Sequence, residues 1–89
     1  MKVKLCTVFD SKVSVWSTPL PFKHSGDALR WFQDQVNRKD ERGQLLGNIA
    51  KYPADHSLFE LGTFCENDCK FDLLFSPVCL SMAIELVNQ

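Results

Sequence analysis

LFELGTFCENDCKFDLLF, residues 58 to 75, decides the fold. Leu58 to Phe64 is apolar, aromatic and β-branched, the composition of a strand. Cys65-Glu66-Asn67-Asp68-Cys69 supplies the turn, and Lys70 to Phe75 returns with Phe71, Leu73 and Phe75 on one face. Two such runs around a polar turn make an antiparallel hairpin. Gly62, inside the first run, marks a bulge.

Working outward, Ser76-Pro77 reads as a helix start, with Ser as cap and Pro at the first helical position. Leu80, Ala83, Ile84 and Val87 follow at i, i+3, i+4 and i+7, which predicts a terminal helix over 77–87. Upstream, Val3 to Phe9 reads as a strand, Asp10-Ser11-Lys12 as a turn, and Val13 to Trp16 as a second short strand. Pro19 and Pro21 end central pairing there, and Phe22 and Lys23 resume an extended edge. Ser25 as N-cap, Asp27 in the first turn and an apolar stripe of Ala28, Leu29, Phe32 and Val36 predict a helix over 25–38. Residues 38–56 lack a period and read as a broken helical turn or an ordered loop, closed by Tyr52-Pro53. The expected architecture is α+β in the order ββ-α-loop-ββ-α: a small antiparallel sheet of two hairpins, about four strands, carrying two helices.

The 89 residues suit one domain, 1–89, with a modest core. A hydrophobic fraction of 45% and a charged fraction of 24% are ordinary for a globular chain and argue against a disordered tail. No apolar run suggests a leader or a membrane span, so a cytoplasmic setting and no membrane partner are expected. In that setting Cys6, Cys65, Cys69 and Cys79 are expected as thiols. Cys65 and Cys69 lack the second close pair of a structural zinc site, and no metal or cofactor is implied. Asp55 reads as a turn cap and His56 as a surface residue. No glycine loop for phosphate and no nucleophile–base–acid set is visible, so binding is expected rather than catalysis.

The net charge of −1 conceals a division. Residues 1–51 hold nine Lys/Arg and five Asp/Glu; residues 52–89 hold one Lys and six Asp/Glu. A basic half with interleaved aromatics fits a single-strand binder, in which bases stack on rings beside a positive groove. The candidate nucleic-acid-binding residues are Lys2, Lys4, Lys12, Trp16, Lys23, Arg30, Trp31, Arg38, Lys39 and Arg42. The competing reading puts each ring in the core or in a subunit interface, and makes 38–42, interleaved with Asp40 and Glu41, a solvated loop.

Three segments carry a resemblance. They are Val8-Phe9-Asp10-Ser11-Lys12 with Pro21-Phe22; Gly26-Asp27-Ala28-Leu29-Arg30-Trp31-Phe32 with Val36-Asn37; and Tyr52-Pro53-Ala54-Asp55-His56-Ser57-Leu58-Phe59-Glu60-Leu61-Gly62-Thr63-Phe64. In this order they resemble the small non-structural protein of gokushovirus-type microviruses, which are single-stranded DNA phages. The last segment is the most specific. Departures are the two cysteines flanking Glu66-Asn67-Asp68 and the length of the 38–51 loop. The resemblance implies a protein made during infection and absent from the mature capsid. It also implies a DNA-binding accessory role in single-stranded DNA synthesis or packaging, and brings no catalytic residues. Two functions follow as expectations. One is single-stranded DNA binding. The other is an oligomerising module, a homo-oligomer or a partner of viral or host proteins.

Overall fold

The computed structural model describes residues 1–88. β1 (Lys2–Asp10) and β4 (His56–Cys65) form the centre of an antiparallel sheet, with Val8 opposite Leu58 and Val3 opposite Phe64. β5 (Lys70–Met82) pairs with the far side of β4. Two short strands share the other side of β1: β2 (Val15–Trp16) pairs with its last residues and β3 (Leu20–Phe22) with its middle. The order is β2-β1-β4-β5, with β3 beside β2 on β1. This is the α+β antiparallel fold that the periodicities predict.

α1 (Ser25–Val36) lies across one face of the sheet. Ala28, Phe32 and Val36 recur at a spacing of four and so share one side of the helix. They pack, fully buried, against Cys6, Val8, Leu58 and Ala83. The residue before the helix, His24, takes the cap position with extended backbone, one place earlier than expected, and its side chain makes no capping bond. The loop after α1 closes on itself through a bridge between Lys39 and Leu45. The second helix, α2 (Gly47–Lys51), follows that loop, and a 3-10 turn over Pro53–Asp55 leads into β4.

The expected helix over 77–87 is corrected. β5 continues through it to Met82, and only Ala83–Leu86 turns, as a 3-10 segment. Leu80, Ala83, Ile84 and Val87 do fit a helical period, but Val78 to Met82 find partners in Ser57 to Glu60 of β4, and pairing prevails. Ser76-Pro77 sits in a bulge. Glu60 and Gly62 oppose Val78 and Leu73, so four β5 residues, 74–77, span a single β4 residue, Leu61. Pro77 is tolerated because β5 is an edge strand. The bulge expected near Gly62 is present. Gly62 has φ +149, and a Cβ there would meet the Asp72 carbonyl and lie 2.7 Å from Leu73 Cα. Only glycine lets β4 and β5 approach this closely.

Candidate functional site

Alternation along β1 sorts its side chains into two sets. Lys2, Lys4, Cys6, Val8 and Asp10 face α1. Val3, Leu5, Thr7 and Phe9 face away. The register carries this division across the sheet. The face away from α1 gains Ser57, Phe59, Gly62 and Phe64 from β4, Phe71, Leu73, Cys79 and Met82 from β5, and Trp16 from β2. None of these residues is charged. The charged side chains of the sheet belong to the other face: Lys2, Lys4, Asp10, Glu60, Lys70 and Asp72.

The open face is aromatic. Phe9, Trp16 and Phe59 form a cluster, with ring centroids 4.5 Å apart for Phe9–Trp16 and 5.0 Å for Trp16–Phe59. A second pair, Phe64 and Phe71, lies 4.9 Å apart toward the other end. Trp16 keeps 45% of its surface exposed and Phe71 64%, while Phe9, Phe59 and Phe64 are half-buried beside them. Thr7, between the clusters, is buried and tied to the chain leaving β2: its Oγ1 donates to the Ser17 carbonyl at 2.6 Å. The face therefore presents rings that are fixed laterally and bare above.

The predicted residues divide among several places. Trp16 stands on the open face. Trp31 does not: it packs between Phe22, at 5.7 Å, and Phe32, at 6.4 Å, and belongs to the α1 layer. Lys2 is exposed at the start of β1, opposite Cys65, which in turn faces Lys70. Lys4 is ion-paired with Glu60 at 3.6 Å, which joins the basic and acidic halves of the chain. Lys23 is exposed just past Phe22, the partner of Lys4. Lys12 sits at the opposite end of β1, in a turn closed by its N–H donating to Asp10 Oδ1 at 3.0 Å. Arg30 is exposed on α1. Arg38, Lys39 and Arg42 are exposed on the bridged loop, where Asp40 Oδ1 accepts from the N–H groups of Arg42 and Gln44. Lys2, Lys4 and Lys23 gather near one end of the sheet, Lys12 marks the other, and 38–42 forms a separate group. Lys70, beside Lys2 across Cys65, was not among the predicted residues. Its strand parity was hidden because the register with β4 cannot be read from the hairpin alone.

His56 is a correction. It is 5% exposed, not a surface residue. As the first residue of β4 it faces Asp10, and the 48–55 segment covers it. Its Nδ1–H donates to the Tyr52 carbonyl at 2.8 Å, since a carbonyl only accepts, and its Nε2 lies 3.4 Å from Asp10 Oδ2. The pair lies at the floor of a recess of about 420 Å³ between the β1–β2 turn and α2, which Val13, Val15, Trp31 and Ile49 line. Ser17 also lines it, but its Oγ is held by the Val8 N–H at 2.9 Å and by Thr7. The imidazole thus serves as a clasp between β1 and the segment before β4.

All four cysteines are thiols. Cys65 and Cys69 flank the β4–β5 turn, and Cys65 Sγ contacts Asp68 Oδ2 at 3.7 Å. Burial pushes the Cys6 thiol up to about 11, with Glu60 adding to the rise and Lys4 opposing it. Among the described residues no three His, Cys, Asp or Glu side chains gather as a metal site, and no helix is long and apolar enough to cross a membrane.

No curated protein and no solved structure matches this chain. A family does: the model described as "Phage ORF5 protein" matches residues 3–86, nearly the whole length and every element of the sheet, and the chain belongs to that phage protein family.

Proposed function

We propose that this phage protein binds single-stranded DNA on the open face of its sheet, as a non-structural accessory factor in genome synthesis or packaging of a gokushovirus-type phage. The observation that carries the reading is an aromatic sheet face without a carboxylate. Antiparallel sheets with helices on one side and bare rings on the other suit unpaired bases, which stack on π-faces at about 1–3 kcal/mol per base. Trp16 with Phe9 and Phe59 offers one platform, and Phe71 with Phe64 another. A polyanion meets no repelling charge on this face. The cations nearest to it are Lys12, beyond one end of the sheet, and Lys2 with Lys70, on the helix side at the other end, so phosphates would reach them around the sheet's ends.

The same face favours a second reading, a protein-interaction module, because an uncharged apolar surface also suits a protein partner. Anisotropy of a labelled single-stranded oligonucleotide across a salt series separates the two. DNA binding gives affinity that falls with salt, by a factor of ten per decade for each 1.4 or so phosphates neutralised, from a slope of about −0.7 per phosphate. Absence of binding at low salt, or binding indifferent to salt, defeats the DNA reading.

A further inference from the structure

Leu73 to Ile84 is a run of twelve residues without a charge, and it makes up most of β5. β5 pairs with β4 on one side only; among the described residues no strand pairs with its other side. Natural edge strands are commonly guarded by charges, prolines or bulges. β5 has the bulge and Pro77, but no charge between Leu73 and Met82. Its side chains are instead apolar and bare. Phe75, in the bulge, is fully exposed, and Leu73, Leu74 and Val78 around it are exposed as well. Beside them is an apolar recess of about 220 Å³ lined by Leu61, Leu73, Leu74 and Pro77.

We propose that β5 pairs antiparallel with β5 of a second copy, centred on the 74–77 bulge. The strand is its own complement about that centre: 70–73 lies on one side of the bulge and 78–82 on the other, so each paired half meets the opposite half of its partner. No like charges oppose each other, because the half beyond the bulge has none. A two-fold seam puts the projecting Phe75 of each copy near the apolar recess of the other, the reciprocal contact of an isologous dimer. With Phe71 left on the stacking face, and taking about 200 Å² for a whole aromatic side chain, the exposed parts of Leu73, Leu74, Phe75, Val78 and Met82 offer roughly 500 Å², to which the paired strand edges add, against about 600–1,000 Å² per partner in a standard interface.

The two-fold axis of an antiparallel pair stands perpendicular to the sheet, so both copies present their aromatic faces on the same side. The dimer would double the stacking platform, with β2 and β3 at its two outer margins. The dimer itself does not depend on the DNA reading.

The test is light scattering and sedimentation of the full chain without DNA, over a dilution series, in reducing buffer because Cys69 and Cys79 are exposed thiols. The expected mass is twice the 10.2 kDa of the chain. Phe75→Asp buries an unpaired charge in the seam and weakens association at least about thirtyfold, with an unchanged circular dichroism spectrum. Trp16→Leu, on the open face, leaves the dimer intact. A monomeric wild type at every concentration overturns the proposal, as does a Phe75→Asp dimer as tight as wild type. Dissociation by Trp16→Leu equal to that by Phe75→Asp overturns it too, by placing the second copy on the open face. So does a monomeric wild type that captures another protein through Phe75.

Discussion

Replacing each tryptophan by leucine separates the open face from the core. Leucine keeps apolar bulk and removes the π-face. Trp16 is 45% exposed and rests on Phe9 and Phe59, so Trp16→Leu loses two ring–ring contacts, worth about 0.5–1.5 kcal/mol each. Part of that loss is offset by the leucine, and the protein should be destabilised by about 1 kcal/mol. Its affinity for single-stranded DNA should fall by about 1–3 kcal/mol, the contribution of one stacked base, or roughly 5- to 150-fold. Trp31 is wedged between Phe22 and Phe32 beneath α1. Trp31→Leu therefore loses packing, about 1–3 kcal/mol of stability, and leaves DNA affinity unchanged for the folded protein. Urea unfolding gives the stabilities and oligonucleotide anisotropy the affinities. The reasoning is refuted if Trp16→Leu binds DNA as tightly as wild type, or if the folded Trp31 variant loses as much affinity as the Trp16 variant.

Three further outcomes are expected. Gly62→Ala forces a side chain into the Asp72–Leu73 backbone at a positive φ, and should cost at least about 2 kcal/mol and loosen β5 from β4; unchanged stability in urea together with unchanged amide exchange in β5 would refute the close approach. Phe32→Ala empties the centre of the core, where Phe32 is fully buried, and should cost about 3–5 kcal/mol, a large share of the roughly 4–13 kcal/mol expected for a chain of this length; thermal unfolding reads it. Cys6 gives a pH dependence with a definite sign: the unfolded chain loses the thiol proton near 9.0 and the folded one near 11, so between those values the native state binds more protons and stability falls as pH rises, by about 3 kcal/mol in all. Cys6→Ser removes that slope, and thiol reagents at neutral pH should modify exposed Cys69 and Cys79 while sparing Cys6.

Where local periods and turn chemistry agree, the chain is readable. The 58–75 hairpin is one such place, because a polar turn separates two apolar runs. α1 is another, because 28, 29, 32 and 36 fall on one face of a helix, whereas a strand would put 28 and 29 on opposite faces. After Pro77 the agreement ends. Leu80, Ala83, Ile84 and Val87 satisfy a helical period, and Val78 to Met82 are equally suited to a strand. The choice is made by the vacant side of β4, a partner twenty residues away. His56, which the sequence places at the surface, is buried for a similar reason. Its burial comes from Asp10 across the sheet and from the 48–55 segment, which shows no period of its own.

The site was legible as a composition and hidden as a surface. A basic, aromatic N-terminal half suggested one groove lined by Trp16, Trp31 and the cations, but folding sorts side chains by strand parity and not by position along the chain. The Lys4–Glu60 ion pair merges the two halves on the helix side, and Trp31 goes with α1. What parity leaves on the other side is the alternate residues of four strands, all uncharged. That set is visible only once β1, β4 and β5 are in register, and a slip of one residue in β4 would exchange Phe59 and Phe64 for Glu60 and Cys65. The bulge at Leu61 holds that register on both sides of β4, and Gly62 permits it. The aromatic face therefore depends on a glycine that lies within it and touches no partner. For this reason Gly62→Ala should reduce DNA binding as well as stability, even though it leaves every ring and every lysine in place.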